Sequence, residues 1–174
     1  MSVKPGMRRK DRADPFAMLE RSHERLQEHM AILLTSASVL NENPGDAQAL
    51  AETIEVSEFI ERAVTRHEQD EEQSLFPRLR GLPKLATMLA SLDVEHRAHE
   101  KLHAQLHEIA QACHRGPLNI AAVDELSDLA VTLSQLYARH IEVEELELFP
   151  AARAALTPAE AAEVAAEMQA RRGR

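Results

Sequence analysis

His67-Glu-Gln-Asp-Glu71-Glu-Gln-Ser-Leu75-Phe76-Pro77 is answered 73 residues later by His140-Ile-Glu-Val-Glu144-Glu-Leu-Glu-Leu148-Phe149-Pro150. In each stretch a histidine and a glutamate stand four apart, which on an α-helix sets an imidazole and a carboxylate one above the other on one face. The same offset carries His23 onto His96, and it relates apolar positions as well: Phe16 to Leu89, Leu19 to Leu92, Leu33 to Leu106, Ile60 to Leu133 and Val64 to Tyr137. Such a repeat reads as two duplicated helical hairpins related by a pseudo-twofold axis.

Working outward, each motif falls on a helical stripe. Asp14-Pro15 has the form of an N-cap followed by proline in the first turn, and Phe16, Leu19, His23, Leu26, Met30, Leu33, Ala37 and Leu40 then recur at steps of three and four. Asn43-Pro44-Gly45 breaks this helix. A second, from about Ala47, keeps Ile60, Val64, His67, Glu71 and Leu75 on one stripe until Gly81-Leu82-Pro83. The third carries Leu85, Leu89, Leu92, His96, His99, His103, Leu106, Ala110 and Cys113 and stops at Arg115-Gly116-Pro117. Asn119 caps the fourth, whose stripe is Val123, Ala130, Leu133, Tyr137, His140, Glu144 and Leu148. Thr157-Pro158-Ala159-Glu160 has the pattern of a capping box and predicts a short fifth helix.

Four long helices with short connections pack as antiparallel neighbours. The expected fold is therefore all-α: an up-down-up-down four-helix bundle over 14–156, with a short C-terminal helix and tail over 157–174. Residues 1–13, where Lys4, Arg8, Arg9, Lys10 and Arg12 surround Pro5 and Gly6, read as a disordered basic tail.

Composition agrees and excludes several function classes. With 3% aromatics, no Trp and only 5 Gly among 174 residues, the chain favours helices over strands. A net charge of −9 argues against nucleic acid as a partner, because duplex affinity comes mainly from cations on phosphates. No apolar run is long enough for a membrane span or a signal segment, and the single cysteine, Cys113, cannot close an intrachain disulfide, so a reducing cytoplasm is the expected location. Cys113 itself reads as a small core residue.

Four imidazoles and two carboxylates at one level of a hydrocarbon core need a compensating charge, and a metal cation supplies it. Imidazole with carboxylate suits iron, manganese or zinc, and the absence of a thiolate set argues against zinc–cysteine or iron–sulfur sites. With one glutamate from each hairpin able to bridge, and each cation taking histidines from its own hairpin, a dinuclear centre fits the symmetry better than a mononuclear one. His29, His107 and His114 read as surface histidines. Glu68, Asp70, Glu72, Glu142, Glu145 and Glu147 read as solvated faces, with Glu68 nearest the centre. In the two Leu-Phe-Pro segments, proline lacks the amide that would bond to Gln73 or Leu146 and so kinks or loosens the helix.

The order His, His-x-x-x-Glu, His, His-x-x-x-Glu, with Leu-Phe-Pro after each pair, resembles the hemerythrin-like domain, or HHE cation-binding domain, from about Phe16 to Leu156. The resemblance implies a centre of two non-haem iron ions, with His23, His67, His96 and His140 as terminal nitrogen ligands and Glu71 and Glu144 as bridging carboxylates. Oxygen-carrying hemerythrins use a further histidine one turn before the position of His96, where this chain has Leu92. His99 is accordingly kept as a seventh candidate ligand and His103 as a reserve. The implied activity is binding or sensing of dioxygen, nitric oxide or peroxide, or handling of iron. Two other readings stand beside it. Glu20-Arg21-Ser22-His23 has the Glu-x-x-His spacing of ferritin- and rubrerythrin-like oxidases, with Asp93-Val94-Glu95-His96 as its repeat partner. A metal-free helical interaction module would instead use the histidines as a pH switch.

Overall fold

A computed structural model describes residues 14–173; the basic tail over 1–13 lies outside the described residues. The described residues form five helices and no strand: α1 (Pro15–Glu42), α2 (47–79), α3 (Ala86–Cys113), α4 (120–155) and α5 (Pro158–Arg172). No described helix is long and apolar enough to cross a membrane.

Local chemistry sets the ends. Asp14 accepts from the Phe16 N–H at 3.0 Å with Pro15 in the first turn, Asp46 accepts from Ala49, and Asn119 from Ala122, the last two at 2.9 Å. Thr157 and Glu160 close a reciprocal capping box at the start of α5. The caps Asp46 and Asn119, and the turn prolines Pro44 and Pro117, obey the 73-residue offset too. These two turns touch, since the Leu118 N–H donates to the Pro44 carbonyl at 3.0 Å. A β-carbon on Gly45 would stand 3.2 Å from the Pro117 ring, so glycine permits the approach.

α2 and α4 are not uniformly α-helical. The turns Glu71–Leu75 and Glu144–Leu148 are π-helical, with the N–H of Phe76 donating to the Glu71 carbonyl and that of Phe149 to the Glu144 carbonyl. Proline at 77 and 150 withdraws the next amide from the ladder, and the widened turn is how the helix absorbs the loss without ending. A third π turn, Ile60–Val64, has no counterpart in α4, where Ile120–Val143 is continuous α-helix.

Two apolar clusters fill the interior. One gathers Leu26, Leu33, Leu40, Val56, Leu106, Leu126, Leu133 and their neighbours. The other gathers Phe16, Leu19, Leu75, Phe76, Leu89, Leu92, Leu148 and Phe149. Along each of α1 to α4, polar residues separate the two: His23 between Leu19 and Leu26, His67 and Glu71 between Val64 and Leu75, His96 between Leu92 and Leu106, and Glu144 between Ile141 and Leu148. Each leucine buried this way contributes about 1.5–3 kcal/mol, so the two clusters clamp the polar layer between them.

α5 completes the second cluster with Val164, Ala165 and Met168. Its basic end also corrects an expectation, because Asp70 is not on a solvated face but fully buried. Arg171 donates to Asp70 at 2.8 Å and to Ser74 at 2.7 Å, and Arg172 lies 2.7 Å from the other Asp70 oxygen. No stripe on α2 foretells this, since the cover arrives from 101 and 102 residues further along the chain. Asp70→Asn, which keeps the shape and removes the charge, is expected to lower stability by about 1–3 kcal/mol in chemical denaturation; an unchanged midpoint contradicts this role of the α5 arginines.

Candidate metal centre

The polar layer brings six of the seven candidate residues together. His23, His67, Glu71 and Glu144 each offer a donor atom within 4.8 Å of the others, and so do Glu71, His96, His140 and Glu144. Glu71 and Glu144 are common to both groups, while the two histidines of each group come from a single hairpin. Relative exposure does not exceed 5% for any of the six.

The imidazoles face one another through Nε2. His23 and His67 stand Nε2 to Nε2 at 3.2 Å, and His96 and His140 repeat that distance. Two nitrogens each ~2.1 Å from one cation, at roughly tetrahedral to right angles, are about 3.0–3.4 Å apart, so the spacing suits a shared ion. The other ring nitrogen points outward. The Nδ1–H groups of His23, His96 and His140 donate at 2.8 Å to Glu145, Glu72 and Glu95 respectively. A carboxylate there can only accept, which places a proton on each Nδ1 and turns each Nε2 toward the centre.

Glu71 and Glu144 show the complementary need. Nε2 of His23 and of His140 lies 3.0 and 3.1 Å from Glu144 oxygens, yet none of the four oxygens of Glu71 and Glu144 receives a well-aligned hydrogen bond. Fully buried carboxylate oxygens without partners are rare and costly. Inward-facing Nε2 atoms and buried carboxylates without aligned hydrogen bonds are the donor set that a pair of iron, manganese or zinc ions requires, so the residues fit such a group.

Sequence reading missed the three outer carboxylates. Glu72 and Glu145 read as solvated in the sequence; they do keep about two-fifths of their side-chain surface in solvent, but their oxygens reach back to the rings. The repeat held the signal, since the offset that carries His23 to His96 also carries Glu72 to Glu145. The Leu-Phe-Pro segments share in the same symmetry: Phe149 stacks on His23 at 5.6 Å and Phe76 on His96 at 6.0 Å, each ring packed on the other hairpin's histidine.

His99 lies outside both groups. It is buried, with Nδ1 3.4 Å from Glu68 and its ring 4.7 Å from Tyr137 and 5.1 Å from His140. Glu68 is correspondingly buried rather than solvated. His103, the reserve ligand, hydrogen-bonds through Nε2 to the Tyr137 hydroxyl. His107 and His114 are exposed, as expected, while His29 is half-buried and stacks on Phe59 at 3.6 Å. Glu20 and Asp93, which a ferritin-like reading would turn inward, are tied instead to Arg153 at 3.2 Å and Arg80 at 3.0 Å.

Protons are unevenly distributed in this layer. Burial pulls the His23 and His140 imidazoles down, but Glu144, joined by Glu145 at the first and Glu95 at the second, outweighs it; His23 rises above its usual range and His140 is pushed up to about 9. Burial, reinforced by the neighbouring His23, holds His67 well below that range. Burial and the adjacent Glu144 raise Glu71 well above the normal carboxylate range, whereas Glu144 itself, although burial opposes it, is held well below by His140 and His23. In the metal-free protein, the raised His140 contributes stability that is complete below its ordinary value of 6.5 and lost as pH rises through about 9. Denaturation midpoints of the metal-free chain are therefore expected to fall between about pH 6 and about pH 10, less steeply in His140→Gln. A flat or rising wild-type profile contradicts this proton distribution.

The family model described as Hemerythrin HHE cation binding domain matches residues 14–152. No curated protein and no solved structure matches the chain. The matched span holds both glutamates and all four histidines of the polar layer, and the chain belongs to the hemerythrin HHE cation-binding domain family.

Proposed function

We propose that the protein is a non-haem di-iron protein that binds or senses a small ligand, dioxygen, nitric oxide or peroxide, or handles iron. His23, His67, His96 and His140 are its terminal nitrogen ligands, Glu71 and Glu144 bridge, and manganese or zinc suits the same donors. The observation that carries this reading is the set of four orphaned carboxylate oxygens facing paired Nε2 atoms in a sealed layer. The order in which each helix passes from one apolar cluster to the other supports an up-down-up-down course for α1 to α4, and we place the protein in the cytoplasm, where the lone buried thiol of Cys113 stays reduced.

A pair of iron ions would supply a coordination position for the small ligand. The chain's own residues do the rest. Glu72, Glu95 and Glu145 orient the rings, and Phe76 and Phe149 stack over them and exclude water. Beside His140, the Tyr137 hydroxyl donates to Nε2 of His103, which burial keeps neutral by lowering it to about 4. His103 also lines a surface pocket of about 280 Å³ with Glu61, Glu100 and His107. A metal-free interaction module has no use for unpartnered buried carboxylates, and the outward ion pairs of Glu20 and Asp93 disfavour a ferritin-like oxidase.

Elemental analysis of protein purified without chelators is expected to find two transition-metal ions per chain. Glu71→Ala and Glu144→Ala abolish dinuclear loading, and His107→Ala leaves it unchanged. Stripping the metal lowers the melting temperature by about 5–10 °C, as loss of a ligand held at a hundredfold over its dissociation constant requires. Equal loading in all three variants, or an unchanged melting temperature after verified metal loss, overturns the assignment.

A further inference from the structure

The two halves of the site obey the repeat closely, so the places where they break it carry information. Three of the four imidazoles donate Nδ1–H to a carboxylate, and His67 does not: its Nδ1 is buried without any partner. The reason lies in one residue. Glu95 serves His140 at 2.8 Å, and the 73-residue offset puts Ser22 where His67 would need its own glutamate. Ser22 is too short to replace it, and its hydroxyl donates to the Met18 carbonyl of its own helix at 3.1 Å. A cavity of about 20 Å³ is lined by Ser22, Arg25, Phe59 and His67.

Further differences fall on the same two sides. Around His96 and His140 stand Glu68, His99, His103 and Tyr137; the offset turns these into Ile141, Leu26, Met30 and Val64 around His23 and His67. The unmatched π turn, Ile60–Val64, also lies in the same helix just before the segment that carries His67. One half of the layer is thus polar and fully braced, and the other is apolar, with one imidazole unbraced.

Resting on the di-iron reading above, we propose that the two cation positions are inequivalent: the His96 and His140 position fills first and holds its ion more tightly, and the His23 and His67 position is the labile one. A ligating imidazole whose second nitrogen donates to a carboxylate is held in orientation and made more basic, and loss of such a partner weakens metal binding about 10–100-fold. Glu95 is a positioning residue in this scheme, and Ser22 marks the place where the second half lacks one.

The test is an anaerobic titration of the metal-free full chain with ferrous iron against a chromophoric chelator. Wild type is expected to bind a first equivalent about 10–100-fold more tightly than a second. Glu95→Gln weakens the first equivalent about tenfold and spares the second, while Ser22→Glu, which rebuilds the missing brace, tightens the second about tenfold and spares the first. A purely structural role for Glu95 does not predict the gain in Ser22→Glu, and should that variant fail to fold by circular dichroism, Glu95→Gln alone decides. Two equal equivalents in wild type, or equal changes at both positions in the variants, overturn the inequivalence and leave the two-cation site standing. No ferrous binding by wild type overturns the di-iron reading itself, and this proposal with it.

Discussion

Two carboxylates and four imidazoles lie in one layer between two hydrocarbon clusters, almost sealed from solvent. Removing such groups from water is among the largest penalties a protein of this size can accept, and it persists only where something of opposite character meets them. Part of the answer is internal. Three rings hand their outer N–H to carboxylates that remain partly in solvent, so those charges are never fully desolvated. Glu144 leans on His23 and His140, but none of the four oxygens of Glu71 and Glu144 receives an aligned hydrogen bond, and the central claim, that cations belong between them, follows from that imbalance.

Duplication explains how the layer is built. Each hairpin supplies one His from its first helix and a His-x-x-x-Glu from its second, and each reaches across to steady the other: Glu145 and Phe149 on His23, Glu72 and Phe76 on His96. Even the surface follows, since the ion pairs Arg153 with Glu20 and Arg80 with Asp93 are related by the same offset. Once the symmetric pattern is known, its departures mark where the two halves differ in chemistry, as at Ser22, His99 and Tyr137.

Much of this was legible in the sequence, because helical periodicity and a fixed offset both act on residues that face the core. His23, His67, Glu71, His96, His140 and Glu144 sit on apolar stripes, where a polar residue is conspicuous. Glu72, Glu95 and Glu145 sit just off those stripes, on faces that look like ordinary solvated helix, and only tertiary packing turns them toward a ring. Asp70 was illegible for a related reason, its burial depending on arginines of α5 that no local pattern on α2 announces. The Phe-Pro pairs pointed to a weakened helix, but hydrogen-bond register is not written in hydrophobic spacing, and the π turns at Glu71 and Glu144 emerge only from the backbone.

The most direct measurement is anomalous scattering from crystals of the iron-loaded protein. Two peaks per chain are predicted within the polar layer, one bounded by His23 and His67, the other by His96 and His140, with Glu71 and Glu144 touching both. A single peak, or peaks only at surface carboxylates with the layer empty, would contradict the account.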